Sequence, residues 1–247
     1  MSWKRFLRQL VGVLIKIAVI YWIFLFQGRV AMALLSRSFF IALTISFSFF
    51  ALMIWWYIKE EGSYAISLKG IPWKMWMWTL LLCSAQYMLF SVLRGRLPVL
   101  VSIDHITTGF IMSIIGVILL VPLVEEIIFR GFLQKHLSIK LPPWLAILIT
   151  SFLFALAHYE TIPNILPAFL GGIFRGIIYY RTDKLILCIV YHAFSNLFGR
   201  IMQLSFNYDN LVLRLLILML VIGLAVYSIR GIMKKTRVLI DNIEDMG

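Results

Sequence analysis

The 247-residue chain is 62% apolar and only 14% charged, a balance that excludes a soluble globular domain and assigns nearly all of it to a membrane. Its net charge of +12 does not point to nucleic acid, because the cations stand in short clusters between apolar runs and not along one face. Such clusters fit positive-inside topology signals and contact with anionic lipid.

Lys4, Arg5 and Arg8 precede an apolar stretch to Phe26. Val30 to Ala33, V-A-M-A, loosely imitates a signal-peptidase site. The stretch is longer than a usual signal core, however, and more apolar runs follow, so it reads as a retained first span. Runs able to cross about 30 Å of hydrocarbon occur at Phe6 to Phe26, Phe39 to Ile58, Trp73 to Leu93, Gly109 to Leu133, Trp144 to Tyr159, Ile162 to Tyr180, Leu185 to Leu204 and Leu211 to Ile229. The expected fold is therefore all-α, a polytopic membrane bundle of about eight antiparallel helices forming a single domain over residues 1–247.

An even number of spans puts both termini on one side. Lys4, Arg5, Arg8, Lys59, Lys69, Lys74, Lys135, Lys140, Arg181, Lys184, Arg230, Lys234, Lys235 and Arg237 fall on that side, against chiefly Arg29, Arg37, Arg94 and Arg96 on the other, so the termini are expected to be cytoplasmic. Lys16 and Arg175 lie within spans near their cytoplasmic ends and are expected to snorkel, with no part in chemistry. Trp55, Trp56, Tyr57, Trp73, Trp76 and Trp78 flank the second connection as an aromatic belt. Cys83 and Cys188 lie in apolar runs without metal or redox spacing and read as buried free thiols. Arg94 to Thr108, with Pro98, Asp104 and His105, reads as an outer loop.

The fourth span carries the first chemical signal, V-P-L-V-E-E-I-I-F-R-G-F-L from Val121 to Leu133. Ionisable groups inside a bilayer cost at least a few kcal/mol, so a span with three of them is a functional candidate. On an α-helix Glu126 and Arg130 are i,i+4 and share a face, whereas Glu125 points about 100° away. Glu126 has a cation within its own helix. Glu125 must find a partner on another helix or take up a proton, which makes it the candidate acid or base.

Two further polar intrusions follow. Phe154 and His158 are i,i+4 at the end of the fifth span, and His192 and Asn196 are i,i+4 in the seventh. Counted at 1.5 Å per residue, Glu125 and His192 lie about 10 Å or slightly more from the cytoplasmic ends of their spans and His158 about 20 Å, depths compatible with one shared cavity. In the sixth span Gly172 and Gly176 form a G-x-x-x-G that permits close helix packing.

The ordered set E-E-x-x-x-R, F-x-x-x-H and H-x-x-x-N resembles the three motifs of the CAAX protease and bacteriocin-processing (CPBP, or Abi) family of intramembrane proteases. The resemblance covers the motif-bearing core at about 109–204. It implies endopeptidase activity in which Glu125 and His158 activate a water and His192 and Asn196 hold the oxyanion, with Glu126, Arg130 and Phe154 in support. A carboxylate without a fixed cation suits a base, and an oxyanion needs donors, so the residue chemistry agrees. Glu125, His158 and His192 are also a candidate zinc set, though no H-E-x-x-H is present.

Two rival readings remain. One is a non-catalytic regulator or bacteriocin-immunity protein that binds another membrane protein. The other is a proton-coupled transporter, since intramembrane Glu and His also form relays, although no inverted repeat with broken helices supports it. The expected partners are the lipid bilayer and a membrane-associated peptide or protein substrate, without nucleic acid. The expected location is a bacterial plasma membrane.

Overall fold

The protein is seen in a computed structural model that describes residues 2–35, 38–94, 96–100, 115–158, 162–207 and 210–244. Most of the expected outer loop, and the start of the fourth span, lie outside the described residues. Helices stand at all the apolar runs: α1 (Trp3–Leu35), α2 (Phe39–Glu61), α3 (Trp73–Leu93), a composite α4 (116–137), α5 (Pro143–Leu156), α6 (Ile162–Thr182), α7 (Leu185–Ile201) and α8 (Leu211–Glu244). Local chemistry sets several ends. The Ser38 hydroxyl accepts from the Ile41 N–H to open α2, and Gly62 closes it at φ +82°, where a Cβ would be strained. Pro143 opens α5 at a position whose N–H has no helical partner.

Two features qualify the expected bundle. Among the described residues only Trp3–Ala31, Phe39–Glu61, Trp73–Leu93 and Leu211–Lys234 are long and apolar enough to cross a membrane, whereas Pro143–Leu156 and Leu185–Gly199 are apolar but shorter. The fold is helical as expected apart from one short ribbon. The end of the seventh run leaves the helix after Ile201, and β2 (Met202–Asn207) pairs antiparallel with β1 (Arg96–Leu100). The register shifts between Leu97 and Pro98, where proline has no N–H for the ladder.

The long helices turn large apolar side chains outward, with Trp22, Phe40, Leu52 and Leu220 all well exposed, as lipid requires. The motif helices are the interior. Val124 and Ile127 of α4, Leu82 and Cys83 of α3, Ile178 of α6, and Leu187, Cys188 and Tyr191 of α7 form one buried cluster with Tyr57. Both cysteines are free and buried, as expected. A Cβ on Gly172 would come 2.9 Å from Ser151 Cβ, and one on Gly176 would come 2.8 Å from Ile147, so the G-x-x-x-G is where α6 meets α5.

The cationic clusters gather at one end of the bundle. His136 stacks on Phe6, Lys135 pairs with Glu61, and Arg181 donates to the Met233 carbonyl. Lys184, buried between α6 and α7, donates to the carbonyls of Tyr64 (3.0 Å), Ser67 (3.4 Å) and Lys69 (3.0 Å) and lies over the Tyr64 ring. Burial pushes its ammonium pKa down, while the carbonyls and the ring face stabilise the charged form.

Candidate active site

The site is built on α4, whose backbone is irregular. Gly116–Leu120 and Ile127–Gln134 have π-helical, i→i+5 hydrogen bonding, with an α-helical stretch, Val121–Glu126, between them. In the π register the Val117 carbonyl would await an N–H from residue 122, which is proline and has none. Asn196 of α7 fills the vacancy, its Nδ2 donating to Val117 O at 2.8 Å. Asn196 thus ties α7 to α4 with one N–H and retains a second.

Glu126 is the hub. It is fully buried, with Arg130 Nη1 at 3.3 Å, Arg175 Nε at 3.0 Å and His192 Nδ1 at 2.8 Å. The expected Glu126–Arg130 pair therefore exists, within a larger cluster. Arg130 also donates to Gly172 O at 3.0 Å, and Gln134, one turn on, donates to Gly176 O at 2.9 Å. Glycines leave those carbonyls uncovered, so the same two residues that admit α5 also accept from α4.

Arg175 corrects the expectation that it snorkels without a role. It is 3% exposed, shares Glu126 with Arg130, and lies 4.5 Å from the Phe154 ring centroid. A charge inside an apolar helix was the available signal. Lys16, by contrast, is half-exposed and pairs with Glu60 at the helix end.

Glu125 points away from Arg130, as the helical phase requires. One of its oxygens, Oε2, has no hydrogen-bond partner and lies 3.6 Å from His192 Nε2. A carboxylate only accepts, so the short contact to Glu126 places the proton of neutral His192 on Nδ1 and leaves Nε2, facing Glu125, as an acceptor. His158 follows α5 in a turn. Its Nδ1–H donates to the Phe154 carbonyl at 2.9 Å, capping an orphan helix-end acceptor and fixing Nε2 as the acceptor of its neutral ring.

Phe154 packs against both imidazoles, its centroid 4.7 Å from His158 and 5.6 Å from His192, and Arg130 and Arg175 lie against it. A cavity of about 390 Å³ is lined by Phe154, His158, Arg175, His192, Ser195 and Asn196, among others. Glu125 is not among the lining residues; its side chain, 19% exposed, stands 3.6 Å from His192, which is one of them. His158 at the end of α5 and His192 and Asn196 of α7 thus share one cavity, and Glu125 of α4 stands next to His192. As a metal set they do not fit: among the described residues no three His, Cys, Asp or Glu side chains are arranged to hold an ion. No step below is routed through zinc.

Residues 107–198 match the family model described as type II CAAX prenyl endopeptidase Rce1-like. This match supports the resemblance of the segment to the CPBP/CAAX protease family. All the motif residues named above fall inside the match. Over 100 residues the chain is also 29% identical to an Escherichia coli protein described as an uncharacterized 24.3 kDa protein, covering 39% of this chain and 46% of that one. The match thus spans about half the length of that relative. No solved structure matches the chain. The four long apolar helices, together with this likeness to a membrane protease family, support a multi-pass membrane protein.

Proposed function

We propose that the protein is an intramembrane endopeptidase that hydrolyses a peptide bond of a membrane-associated peptide or small membrane protein. The observation that carries this reading is the contrast between two adjacent carboxylates: Glu126 is held by two guanidiniums and an imidazole, whereas Glu125 Oε2 has no hydrogen-bond partner beside a cavity carrying two imidazoles. A regulator that only binds a partner has no use for that contrast.

Glu125 and His158 activate the water. A carboxylate without a fixed cation accepts its proton, and the His158 acceptor nitrogen orients it. The water oxygen attacks the scissile carbonyl, and Asn196, with its second N–H, donates to the oxygen that becomes negative. His192 contributes differently from the family-based expectation of a donor. As the neutral ring its Nε2 accepts, so it stands with Glu125 on the proton-accepting side. Protonating it would add a third cation to a buried cluster already balanced by two carboxylates and two guanidiniums. When the tetrahedral intermediate collapses, the proton passes from Glu125 to the leaving amine. Glu126, Arg130 and Phe154 hold the frame.

The chain crosses a bacterial plasma membrane about eight times with both termini cytoplasmic, since its cations gather at one end. The test is a comparison of membrane peptides in cells carrying wild type or Glu125→Ala. Precursors that accumulate only with the variant support proteolysis. Identical peptide profiles, with a phenotype that survives the substitution, favour the regulator.

A further inference from the structure

Building on the proteolytic reading, we infer that Arg175 is a catalytic residue, the cationic donor that holds the oxyanion of the tetrahedral intermediate together with Asn196. The motif residues that line the cavity offer few unused donors. His158 has its Nδ1–H on the Phe154 carbonyl, and His192 has its Nδ1–H on Glu126. Asn196 has spent one N–H on Val117. Arg175 lines the same cavity, is 3% exposed, and has an Nη2 buried without a hydrogen-bond partner. An unused guanidinium nitrogen in a dry site is expensive unless something accepts from it during the working cycle.

Position and charge agree. Arg175 Nε and His192 Nδ1 both approach one oxygen, Oε1 of Glu126, at 3.0 and 2.8 Å, so the guanidinium is held next to the imidazole that faces Glu125. Before reaction, two carboxylates balance two guanidiniums. As water adds, a C–O bond forms, the carbonyl π pair moves onto oxygen, and the water proton goes to Glu125. The negative charge has then moved from Glu125 to the oxyanion, and the balance survives only if a cation is at hand for the new position. Arg130 holds Glu126 and the Gly172 carbonyl and, though its Nε too is unpartnered, it is not among the residues that line the cavity. Arg94 and Arg175 both line the cavity, and Arg175 is the buried one of the two. When the intermediate collapses, the pair re-forms the carbonyl, the C–N bond breaks, and the amine takes the Glu125 proton.

Because Arg175 also supports Glu126, the test uses Arg175→Lys, which keeps the charge, beside Arg175→Gln, which keeps hydrogen bonding. Thermal stability in detergent is measured for both. Turnover is read on a peptide that accumulates with Glu125→Ala, as the free acid and as the C-terminal amide. Binding is read on a panel of hydrophobic phosphinic tripeptides, whose tetrahedral anion replaces one amide, and on their parent amides. The expected result is that Arg175→Lys remains folded, loses about 100-fold in kcat on both acid and amide peptides, and leaves KM within about twofold. Wild type should bind phosphinic peptides at least about tenfold more tightly than amides, and the variant should lose that preference. An unchanged preference in Arg175→Lys, a wild type without any preference, or a rise in KM confined to free-acid peptides would overturn the assignment. The last result would make Arg175 a carboxylate-binding residue. Wild type that cleaves no peptide would count against the proteolytic reading itself, and the phosphinic preference would still decide the role of Arg175.

Discussion

At the scale of single residues, the two neighbouring glutamates should respond to the same substitution in different ways. Glu126→Gln strands both Arg130 and Arg175 in a buried place, and breaking a buried pair in this way typically removes about 3–5 kcal/mol. The expected outcome is a sharp loss of membrane abundance and of thermal stability in detergent. Normal abundance would mean that the cluster is wet. Asn196→Leu should lower stability by about 1–3 kcal/mol, because the Val117 carbonyl loses its donor to an apolar side chain, and melting in detergent would measure it. The phase of an α-helix suffices to separate Glu125 from the Glu126–Arg130 pair, and the i,i+4 spacings suffice to select His158, His192 and Asn196. Arg175 was not legible in the same way. Nothing in local spacing ties position 175 to position 126, and a cation near a helix end has an inexpensive alternative in snorkelling. Only the packing of α6 against α4 decides between them.

At the scale of elements, α6 is fitted between its neighbours by absent side chains. Gly172→Ala should place a methyl 2.9 Å from Ser151 Cβ, forcing α5 and α6 apart and shifting the carbonyl that accepts from Arg130. Overpacking of this kind costs about 1–3 kcal/mol. Ser151→Gly in the same chain should recover part of the loss by removing the atom struck, a compensation that melting of the single and double variants would measure. Failure of the double variant to recover would place the damage elsewhere. The G-x-x-x-G was readable as a close-packing face. The irregular backbone of α4 was not, because π-helical turns depend on which acceptors neighbouring helices satisfy. Pro122 is a hint only once Asn196 is known to stand beside Val117. The β1–β2 ribbon was equally hidden, since Met202 to Asn207 continues an apolar run and a composition count cannot tell a strand from a helix end.

At the scale of the whole molecule, an apolar exterior encloses an ionic interior. Hydropathy alone was enough to find the helices, since each apolar run holds one, but not to rank them, because the motif helices are buried in protein whether or not each reaches across the bilayer. The topology prediction is that Lys140→Cys is shielded and Arg96→Cys reacts with an impermeant thiol reagent in intact cells, against a silent background from the buried Cys83 and Cys188. Reaction at Lys140→Cys alone would invert the assignment. The central claim is that Glu125 takes the proton of the attacking water while Glu126 holds the frame. Cleavage of a reporter peptide by Glu125→Gln, measured with membrane abundance, tests it most directly. The variant keeps the shape of the side chain and lacks its basic oxygen, so it should accumulate as wild type does and leave the reporter uncut. Cleavage at the wild-type rate, or a Glu126→Gln protein that is abundant but inactive, would contradict the account.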